Sequence, residues 1–383
     1  MGIYLDYNAS APIDARVLDV MVDVYQNHFG NADSRTHDFG DKVRSITETA
    51  RGQVASLLGV RNDEVFFTSG ATESNNIAIL GLQHYGELAN RKHIITSSIE
   101  HKAVLGAADH LAKNGFEVDY VDPEENGCID YHKIISMIRP ETLLVSIMHV
   151  NNETGIIQPV KEIGDFLHST NTFFHIDATQ SCGKLVEEIR QLHYDLMSIS
   201  AHKMHGPQGV GALIMRKRRY KLPPVSPIMF GGGQEHGVRP GTLPTALIAG
   251  FGKACVLAAD EEANHNEKCK RIKEILIETL EGSNVKYLIN GDQNLCVSNT
   301  LNVSFIGVSS EALMLATKQY CGVSNGSACT SNSYSHSHVL SAMHLSDDRI
   351  ESAVRISWGA DVDPSEAKSA FVQLLETVKQ FTL

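Results

Sequence analysis

The chain has 383 residues, of which 42% are hydrophobic, enough for one large domain with a substantial core and a smaller second domain. Its 45 acidic and 33 basic residues give a formal net charge of −12, which argues against general binding of nucleic acid or of an anionic membrane surface. The seven cysteines include no C-x-x-C pair, and we find no signal peptide, so a reducing cytoplasm is predicted. No apolar run approaches the roughly 18 residues that a membrane helix requires, which predicts no membrane association.

Residues 1–12 predict a short strand and then a turn, and Asp14 is placed to cap the helix that follows. The polar, glycine-punctuated segment 29–40 predicts a loop, which either lines a site or lies plainly at the surface. An amphipathic helix is predicted over residues 41–58.

A strand is predicted over residues 64–70, where Gly70 ends it and a helix begins at once near Ala71 and Thr72. Free backbone N–H groups and the helix dipole converge at such a turn, so it is a candidate anion site. The pattern is not a Walker loop, because G-x-x-x-x-G-K-[ST] does not occur in the sequence.

Polar residues follow three further apolar runs, which are separated by helical segments in the pattern of a mainly parallel sheet. Taken singly, each polar residue is explained as well by a helix cap, a turn or an exposed position. Because the carboxyl ends of parallel strands share one edge, their coincidence predicts one shared site. The residues are His101, Asn152, Asp177 and Gln180.

Lys203 follows a fourth run and is flanked by Ser200 and His202, before a turn that Gly206 and Pro207 impose. Burying an ammonium group is costly unless its pKa falls or it forms a covalent bond. Lys203 is therefore a candidate for Schiff-base chemistry, and the alternative is a solvated lysine in a turn.

A glycine-rich loop is predicted over residues 230–242, followed by long helical character from residue 245 to 280. We place a domain boundary near residue 258. The large domain then spans residues 13–258, and a smaller α+β domain consists of residues 1–12 and 259–383.

Cys329 lies in the smaller domain, within a run of small polar residues rather than among the apolar side chains typical of buried cysteines. A thiol in such a loop is either reactive or liable to oxidation. His336 and His338 raise the alternative of a metal site with Cys329. No fourth ligand has the required spacing, so exposed loop histidines are predicted and no metal.

Six short motifs, spread over nearly the whole chain, resemble the ordered motifs of the cysteine desulfurases. They are Thr68-Ser-Gly-Ala-Thr-Glu-Ser, Glu100-His-Lys, His149-Val-Asn-Asn-Glu, Asp177-Ala-Thr-Gln, Ser200-Ala-His-Lys-Met-His-Gly-Pro and Gly326-Ser-Ala-Cys-Thr-Ser. The resemblance implies a class V, fold type I transferase that depends on pyridoxal 5′-phosphate. Its large domain would hold a mainly parallel seven-stranded sheet, and its smaller α+β domain would carry the cysteine loop.

The resemblance also implies a role for each candidate residue. Lys203 would hold the cofactor covalently and act as a base, Asp177 would pair with the pyridine nitrogen, and His101 would stack on the ring. Arg355 would clamp the substrate carboxylate. The remaining residues are Gln180 and Asn152 around the phenolic oxygen and the substrate carboxylate, Ala71, Thr72, Ser200 and His202 at the phosphate, and Thr242 at the phosphate of a dimer partner. From the residues alone, Arg355 is explained as well by a surface ion pair.

The implied activity converts L-cysteine into L-alanine and leaves a persulfide on Cys329 of a homodimer. An acceptor protein would then take the sulfur for iron–sulfur assembly, tRNA thiolation or DNA phosphorothioation. Two alternatives remain at this point: a selenocysteine lyase or another class V lyase or transaminase, and a non-catalytic scaffold that keeps the fold.

Overall fold

The computed structural model describes residues 2–326 and 336–382. The α-helices of this part are α1 (Ala15–Asn27), α2 (Asp38–Leu58), α3 (Ala71–Leu80), α4 (Gln83–Leu88), α5 (Lys102–Lys113), α6 (Tyr131–Met137), α7 (Val160–Leu167), α8 (Val186–Arg190), α9 (Thr245–Glu281), α10 (Ser310–Thr317), α11 (His338–Ala342), α12 (Asp347–Glu351) and α13 (Pro364–Thr382). The strands are β1 (Ile3–Tyr4), β2 (Val65–Thr68), β3 (His93–Ser97), β4 (Glu117–Val121), β5 (Thr142–Met148), β6 (Phe173–Asp177), β7 (Leu196–Ser200), β8 (Gly211–Met215), β9 (Tyr287–Ile289), β10 (Thr300–Phe305), β11 (Cys321–Gly322) and β12 (Ala353–Ser357).

The central sheet has seven strands in the order β2-β8-β7-β6-β5-β3-β4. The pairs β3–β4, β3–β5, β5–β6 and β6–β7 are parallel, whereas β8 runs antiparallel to both β7 and β2. Every residue of β5, β7 and β8 is buried, as expected for strands that are covered on both faces. The predicted mainly parallel seven-stranded sheet is confirmed.

Local capping accounts for the first two helices. Asp14 caps α1 as predicted, because its Oδ1 accepts a hydrogen bond from the backbone N of Arg16 at 2.8 Å. Helix α2 begins at Asp38 rather than at residue 41, since the Nδ1 atom of His37 accepts from the backbone N of Gly40 at 3.2 Å. Histidine is a less common cap than serine or aspartate, and the polar pattern therefore placed the helix start too late.

Two smaller sheets complete the described architecture. Strands β12, β10 and β9 form an antiparallel sheet, and β1 pairs in parallel with β11. Helix α9 connects two hydrophobic cores: Phe251 and Ala258 pack into the core of the central sheet, while Cys269 and Leu280 pack into the core of the smaller sheets. The boundary predicted near residue 258 falls inside this continuous helix, and the division into two domains remains a prediction.

The glycine-rich loop is tied to β2 by a buried ion pair. Two oxygens of Glu235 accept from the guanidinium of Arg51 at 2.8 and 2.9 Å, and one of them also accepts from the backbone N of Phe67 at 2.7 Å. Glu235 has a φ of 48°, in the left-handed region that is uncommon for residues other than glycine. The ion pair thus holds a strained backbone in place.

Within residues 2–326 and 336–382, the helices are either too short or too polar to cross a membrane.

Candidate active site

A cavity of about 440 Å³ opens where the carboxyl ends of β5, β6 and β7 meet the turn before α3. Most of the candidate residues line it, although they come from widely separated parts of the chain. They are Ala71, Thr72, His101, Asn152, Asp177, Gln180, Ser200, His202, Lys203 and Arg355. The structure thus brings together the residues that were selected at successive strand ends.

Lys203 lies just after β7 and extends into this cavity. Its Nζ donates to the backbone oxygens of Asn8 at 2.6 Å and Ala9 at 2.7 Å. The solvated turn lysine considered above is therefore wrong, because two carbonyl groups of the N-terminal segment hold the amine inside the site.

Asp177 ends β6 and is buried, with 4% of its surface exposed. Its Oδ2 accepts from Nδ2 of Asn75 at 2.7 Å, and its Oδ1 accepts from the backbone N of Thr179 at 3.0 Å. Such donors offset the cost of removing a carboxylate from water. The site therefore contains a buried carboxylate of fixed orientation, which suits pairing with a protonated ring nitrogen.

His175 lies two residues before Asp177 on the same strand and is fully buried. Its ring nitrogens make hydrogen bonds to the hydroxyls of Ser146 at 2.8 Å and Ser198 at 3.0 Å. Burial lowers the pKa of His175 to about 4, so the ring is neutral near pH 7.

The turn before α3 provides a set of donors that fits a phosphate group. Free N–H groups at the start of the helix face the cavity beside Ser200 and His202, whose Oγ and Nδ1 atoms are 2.8 Å apart. Burial, and next the charge of Lys203, lowers the pKa of His202 to about 4, so this ring is also neutral.

Strand β8 passes close beneath this turn. A Cβ atom at Gly211 would lie 2.7 Å from the Cα of Gly70, so only glycine permits this approach.

His101 caps α5, because its Nδ1 accepts from the backbone N of Ala103 at 3.1 Å. The residue is exposed and its ring faces the cavity; desolvation by the neighbouring protein atoms lowers its pKa, although the charge of Asp177 opposes the effect. A mostly neutral imidazole at the cavity wall is suited to accepting and returning a proton.

Arg355 lies on β12 with a side chain that is only 2% exposed, so the surface ion pair considered above is wrong. Its Nη2 donates to Oδ1 of Asp6 at 2.6 Å, and its Nη1 donates to the backbone oxygen of Asn152 at 2.9 Å. Nε is buried without a hydrogen-bond partner in the described part of the chain. The guanidinium is thus fixed in the cavity wall with donor capacity left.

Several residues of this site were missed in the sequence. The backbone oxygen of Asn8 accepts from both Lys203 and Nε2 of Gln180, the latter at 2.9 Å, but side-chain identity carries no signal for a carbonyl acceptor. Asn75 and Asp6 orient Asp177 and Arg355. Asn75 did leave a signal, since it is a polar residue on the buried face of α3, next to Ile77 and Ala78.

The two remaining candidate residues are Thr242 and Cys329. Thr242 is exposed and does not line the cavity of its own chain. Cys329 lies outside the described residues.

The prediction that His336 and His338 are both exposed loop residues is wrong for His338. This residue begins α11, is half-buried and donates from Nε2 to the backbone oxygen of Glu100 at 2.9 Å. The described residues contain no group of three side chains that could hold a metal ion.

Comparison with protein families first assigns the class. The model of the aminotransferase class-V family matches residues 3–368. The chain belongs to this family and, within it, to the cysteine desulfurases, because close relatives of that name match nearly its full length. The cysteine desulfurase IscS of Colwellia psychrerythraea is 46% identical over 362 residues, which is 94% of this chain and 88% of the relative. The mitochondrial cysteine desulfurase of Arthroderma benhamiae is 44% identical over 95% of this chain and 72% of the relative.

Solved structures agree in fold. A NifS-like protein superposes with a TM-score of 0.91 at 33% identity and covers 99% of this chain and 100% of its own. DndA from Streptomyces lividans superposes with a TM-score of 0.81 at 43% identity and covers 93% of this chain and 99% of its own. SspA in complex with cysteine superposes with a TM-score of 0.79 at 36% identity and covers 92% of this chain and 98% of its own. These relatives favour an enzyme over the non-catalytic scaffold, and the family depends on pyridoxal 5′-phosphate.

The burial of His175 predicts how stability depends on pH. An unfolded histidine has a pKa of about 6.5, so between that pH and about 4 the unfolded state binds a proton that the folded state excludes. The free energy of unfolding should therefore fall as the pH is lowered through this window, with a contribution from this residue of up to about 1.4 kcal/mol per pH unit. In urea denaturation between pH 4 and 7.5, the free energy of unfolding should depend less steeply on pH for His175→Gln than for the wild type. Equal slopes would contradict the neutral buried ring.

Proposed function

We propose that the cavity is the site at which this cysteine desulfurase binds pyridoxal 5′-phosphate and removes the sulfur of L-cysteine, giving L-alanine and a persulfide on Cys329. The observation that carries the proposal is the meeting of Lys203, Asp177 and the donors at the start of α3 in one cavity. An amine, a buried carboxylate and an anion site are the groups that this cofactor requires of a protein.

The residues present fit the cofactor. Lys203 would bind its aldehyde carbon, Asp177 its ring nitrogen, and the N–H groups at Ala71 and Thr72, with Ser200 and His202, its phosphate. When bound, the protonated ring withdraws electrons from the bonds of the substrate amino acid. Asn75 and Thr179 orient Asp177 for that pairing.

The substrate carboxylate would meet Arg355, which is held against the cavity wall by Asp6 and Asn152. A planar guanidinium offers two parallel donors to a carboxylate, and this geometry distinguishes an amino acid from a simple thiol. Nζ of Lys203 would accept the proton from the substrate Cα. His101, neutral near pH 7 and open to the cavity, would move a proton at the substrate.

The transfer of sulfur needs a nucleophile, which we assign to the thiolate of Cys329. It attacks the substrate sulfur, so that an S–S bond forms and the Cβ–S bond breaks. The electron pair of the broken bond remains with the substrate carbon, which takes up a proton to give alanine. The sum is L-cysteine plus a thiol giving L-alanine plus a persulfide, with no external oxidant. A reducing compartment such as the cytoplasm keeps Cys329 available as a thiol.

An acceptor protein would remove the persulfide sulfur, and the proposed destinations are iron–sulfur assembly, tRNA thiolation and DNA phosphorothioation. The second candidate activity, selenocysteine lyase, uses the same cavity. SspA, a similar structure, is described in complex with cysteine, and this favours cysteine as the substrate here. Comparing sulfide release from L-cysteine with selenide release from L-selenocysteine separates the two.

We also propose a homodimer, formed through an exposed apolar surface on α1. Leu18, Val22 and Tyr25 lie on an exposed face of this helix, beside the face that buries Val17, Met21 and Val24. Phe29 follows the helix, extends this apolar stripe and stacks on Phe39, with ring centroids 5.5 Å apart. Tyr25 and Phe29 are 64% and 65% exposed. Exposed apolar stripes of this extent are typical of protein interfaces.

The same surface adjoins the loop that carries Thr242. Nε2 of Gln234 donates to Oδ2 of Asp33 at 2.7 Å, which ties this loop to the segment between Phe29 and Phe39. Phe230, at the start of the loop, is 89% exposed. A second copy seated here would cover the apolar stripe and receive Thr242, which is exposed in its own chain, at its phosphate site.

The dimer is tested by adding charge to the stripe. Tyr25→Glu and Phe29→Glu should shift the protein from dimer to monomer in sedimentation velocity, because burying a carboxylate in an apolar interface is unfavourable. Leu88→Glu, on the exposed surface of α4, is the matched control and should remain dimeric. A monomeric wild type, or glutamate variants that stay dimeric, would contradict this interface.

Replacement of Arg355 tests the carboxylate clamp. Arg355→Lys keeps the charge but loses the planar pair of donors, so KM for L-cysteine should rise and kcat/KM should fall. Arg355→Ala removes the whole guanidinium, and its fall in kcat/KM should correspond to a loss of roughly 2 to 4 kcal/mol of transition-state binding. Arg271→Ala, at an exposed ion pair on α9, is the control and should retain wild-type kinetics. Unchanged kcat/KM in both Arg355 variants would contradict the role.

The central experiment separates cofactor chemistry from sulfur transfer. Cys329→Ser should bind the cofactor and show a spectral change with L-cysteine, yet release almost no alanine, because a hydroxyl is a far poorer nucleophile than a thiolate near pH 7. Mass spectrometry of the cysteine-treated wild type should find one additional sulfur on the peptide that holds Cys329. Lys203→Ala is the matched control: it should lack covalently bound cofactor after borohydride reduction and leave Cys329 unmodified.

Two results would overturn the assignment of Cys329. One is a Cys329→Ser variant with undiminished alanine production. The other is a persulfide on a different thiol, such as Cys321, which is buried in the core of the smaller sheets.

A further inference from the structure

The two ends of the segment that carries Cys329 meet at one buried side chain, Glu153. Gly326 packs against its carboxylate from one side and Ser337 donates to it from the other. We propose that Glu153 is a positioning residue which fixes both flanks of this segment and thereby sets the rate of sulfur transfer to Cys329. The inference rests on the proposed function, since it assumes that Cys329 accepts the sulfur.

Glu153 stands on a rigid base. It follows β5 in a turn that Asn151 closes: Oδ1 of Asn151 accepts from the backbone N atoms of Glu153 and Thr154, both at 2.9 Å, while its Nδ2 donates to the backbone oxygen of Ile99 at 3.0 Å. Nδ2 of Asn302 donates to the backbone oxygen of Glu153 at 3.0 Å. The backbone of Glu153 is thereby held from both sides, so its carboxylate has a fixed position.

The first flank lies directly on this carboxylate. Gly326 has a φ of +80°, and a Cβ atom there would stand 2.8 Å from Oε2 of Glu153, so only glycine permits the approach. Ser324 fixes the preceding backbone, since its N and O atoms exchange hydrogen bonds with Arg355 at 3.2 and 2.6 Å. Oγ of Ser324 also accepts from the backbone N of Gly326 at 3.1 Å.

The second flank is joined to the same oxygen. Oγ of Ser337 donates to Oε2 of Glu153 at 2.5 Å and accepts from the backbone N of Leu340 at 3.1 Å, so a single hydroxyl both caps α11 and binds the carboxylate. Val339 and Leu340 then pack into the core of the central sheet. The start of α11 is therefore locked to the end of β5.

Both flanks are connected to neighbours of the proposed substrate residues. Glu153 directly follows Asn152, Ser324 bonds to the backbone of Arg355, and His338 donates to the backbone oxygen of Glu100, next to His101. Glu153 is only 2% exposed, and this burial raises the pKa of its carboxyl group. An ordinary helix cap needs no buried carboxylate beneath it, and a group so costly to bury is explained better by the joint support of two flanks.

The test measures sulfur transfer apart from cofactor chemistry. Holoenzyme is mixed with one equivalent of L-cysteine, and the persulfide on the Cys329 peptide is followed by quenched mass spectrometry alongside the cysteine-induced spectral change. Glu153→Ala should slow persulfide formation by roughly 10- to 100-fold, since displacing a reacting group by about 1 Å has effects of this size. The spectral change should remain at its wild-type rate. Glu153→Gln keeps an oxygen that accepts from Ser337, and should recover most of the rate.

Ser337→Ala removes the contact of one flank and leaves Glu153 in place, so it remains informative if Glu153→Ala folds poorly. Its persulfide formation should be slowed, and combining it with Glu153→Ala should add little, because the two residues act through one contact. Ser341→Ala, in the same helix, removes a hydroxyl that donates to the backbone oxygen of Ser337 and leaves the contact with Glu153 intact. It is the matched control and should transfer sulfur at the wild-type rate.

Wild-type persulfide formation in both Glu153→Ala and Ser337→Ala would overturn the inference. So would slowing of the spectral change in parallel with persulfide formation, because that is the result of general disruption of the site. If the wild type places no sulfur on Cys329, the proposed function fails, and this inference fails with it. That result is seen in the wild type alone, so failure of the proposed function can be distinguished from failure of the role of Glu153, which only the variants reveal.

Discussion

The parallel pairing of β3, β5, β6 and β7 is the constraint on which the site depends. Parallel strands end at the same edge, and the register sets Met148 beside Asp177 and Asp177 beside Ser198. A slip of one residue would turn Asp177 to the opposite face of the sheet and separate it from Asn75. Strands buried on both faces specify this register strongly, so the candidate site is built on a well-defined edge of the sheet.

The remaining groups are fitted to this edge by close backbone approaches and buried polar contacts. Strand β8 can pass beneath the turn before α3 because Gly211 leaves room for Gly70. The ion pair between Arg51 and Glu235 connects the glycine-rich loop to the strand that leads into the same turn. The loop proposed to serve a partner subunit is thus anchored to a strand that leads into the cavity of its own chain.

The sequence predicted the central sheet, because buried parallel strands appear as apolar runs. Its polar residues at strand ends, together with its short motifs, selected ten of the residues that line the cavity. It did not predict contacts that depend on the backbone or on distant pairing. The carbonyl group of Asn8 and the pairing of Asp6 with Arg355 join residues that are far apart in the chain, and nothing local marks them. His338 was misjudged for a related reason, since its hydrogen bond to Glu100 spans 238 positions and turns an apparent loop residue into the first residue of a helix.

The docking of the N-terminal segment affects the order of events during synthesis. Residues 3 and 4 pair with Cys321 and Gly322, and the backbone N of Asn8 donates to the hydroxyl of Ser357. The segment whose carbonyl groups hold Lys203 is therefore held in part by strands that are synthesised late. A nascent chain halted before residue 353 has the central sheet and the lysine but lacks both the last strand and Arg355. The site is therefore complete only when residues 321–322 and 353–357 have been synthesised and have packed against the N-terminal segment.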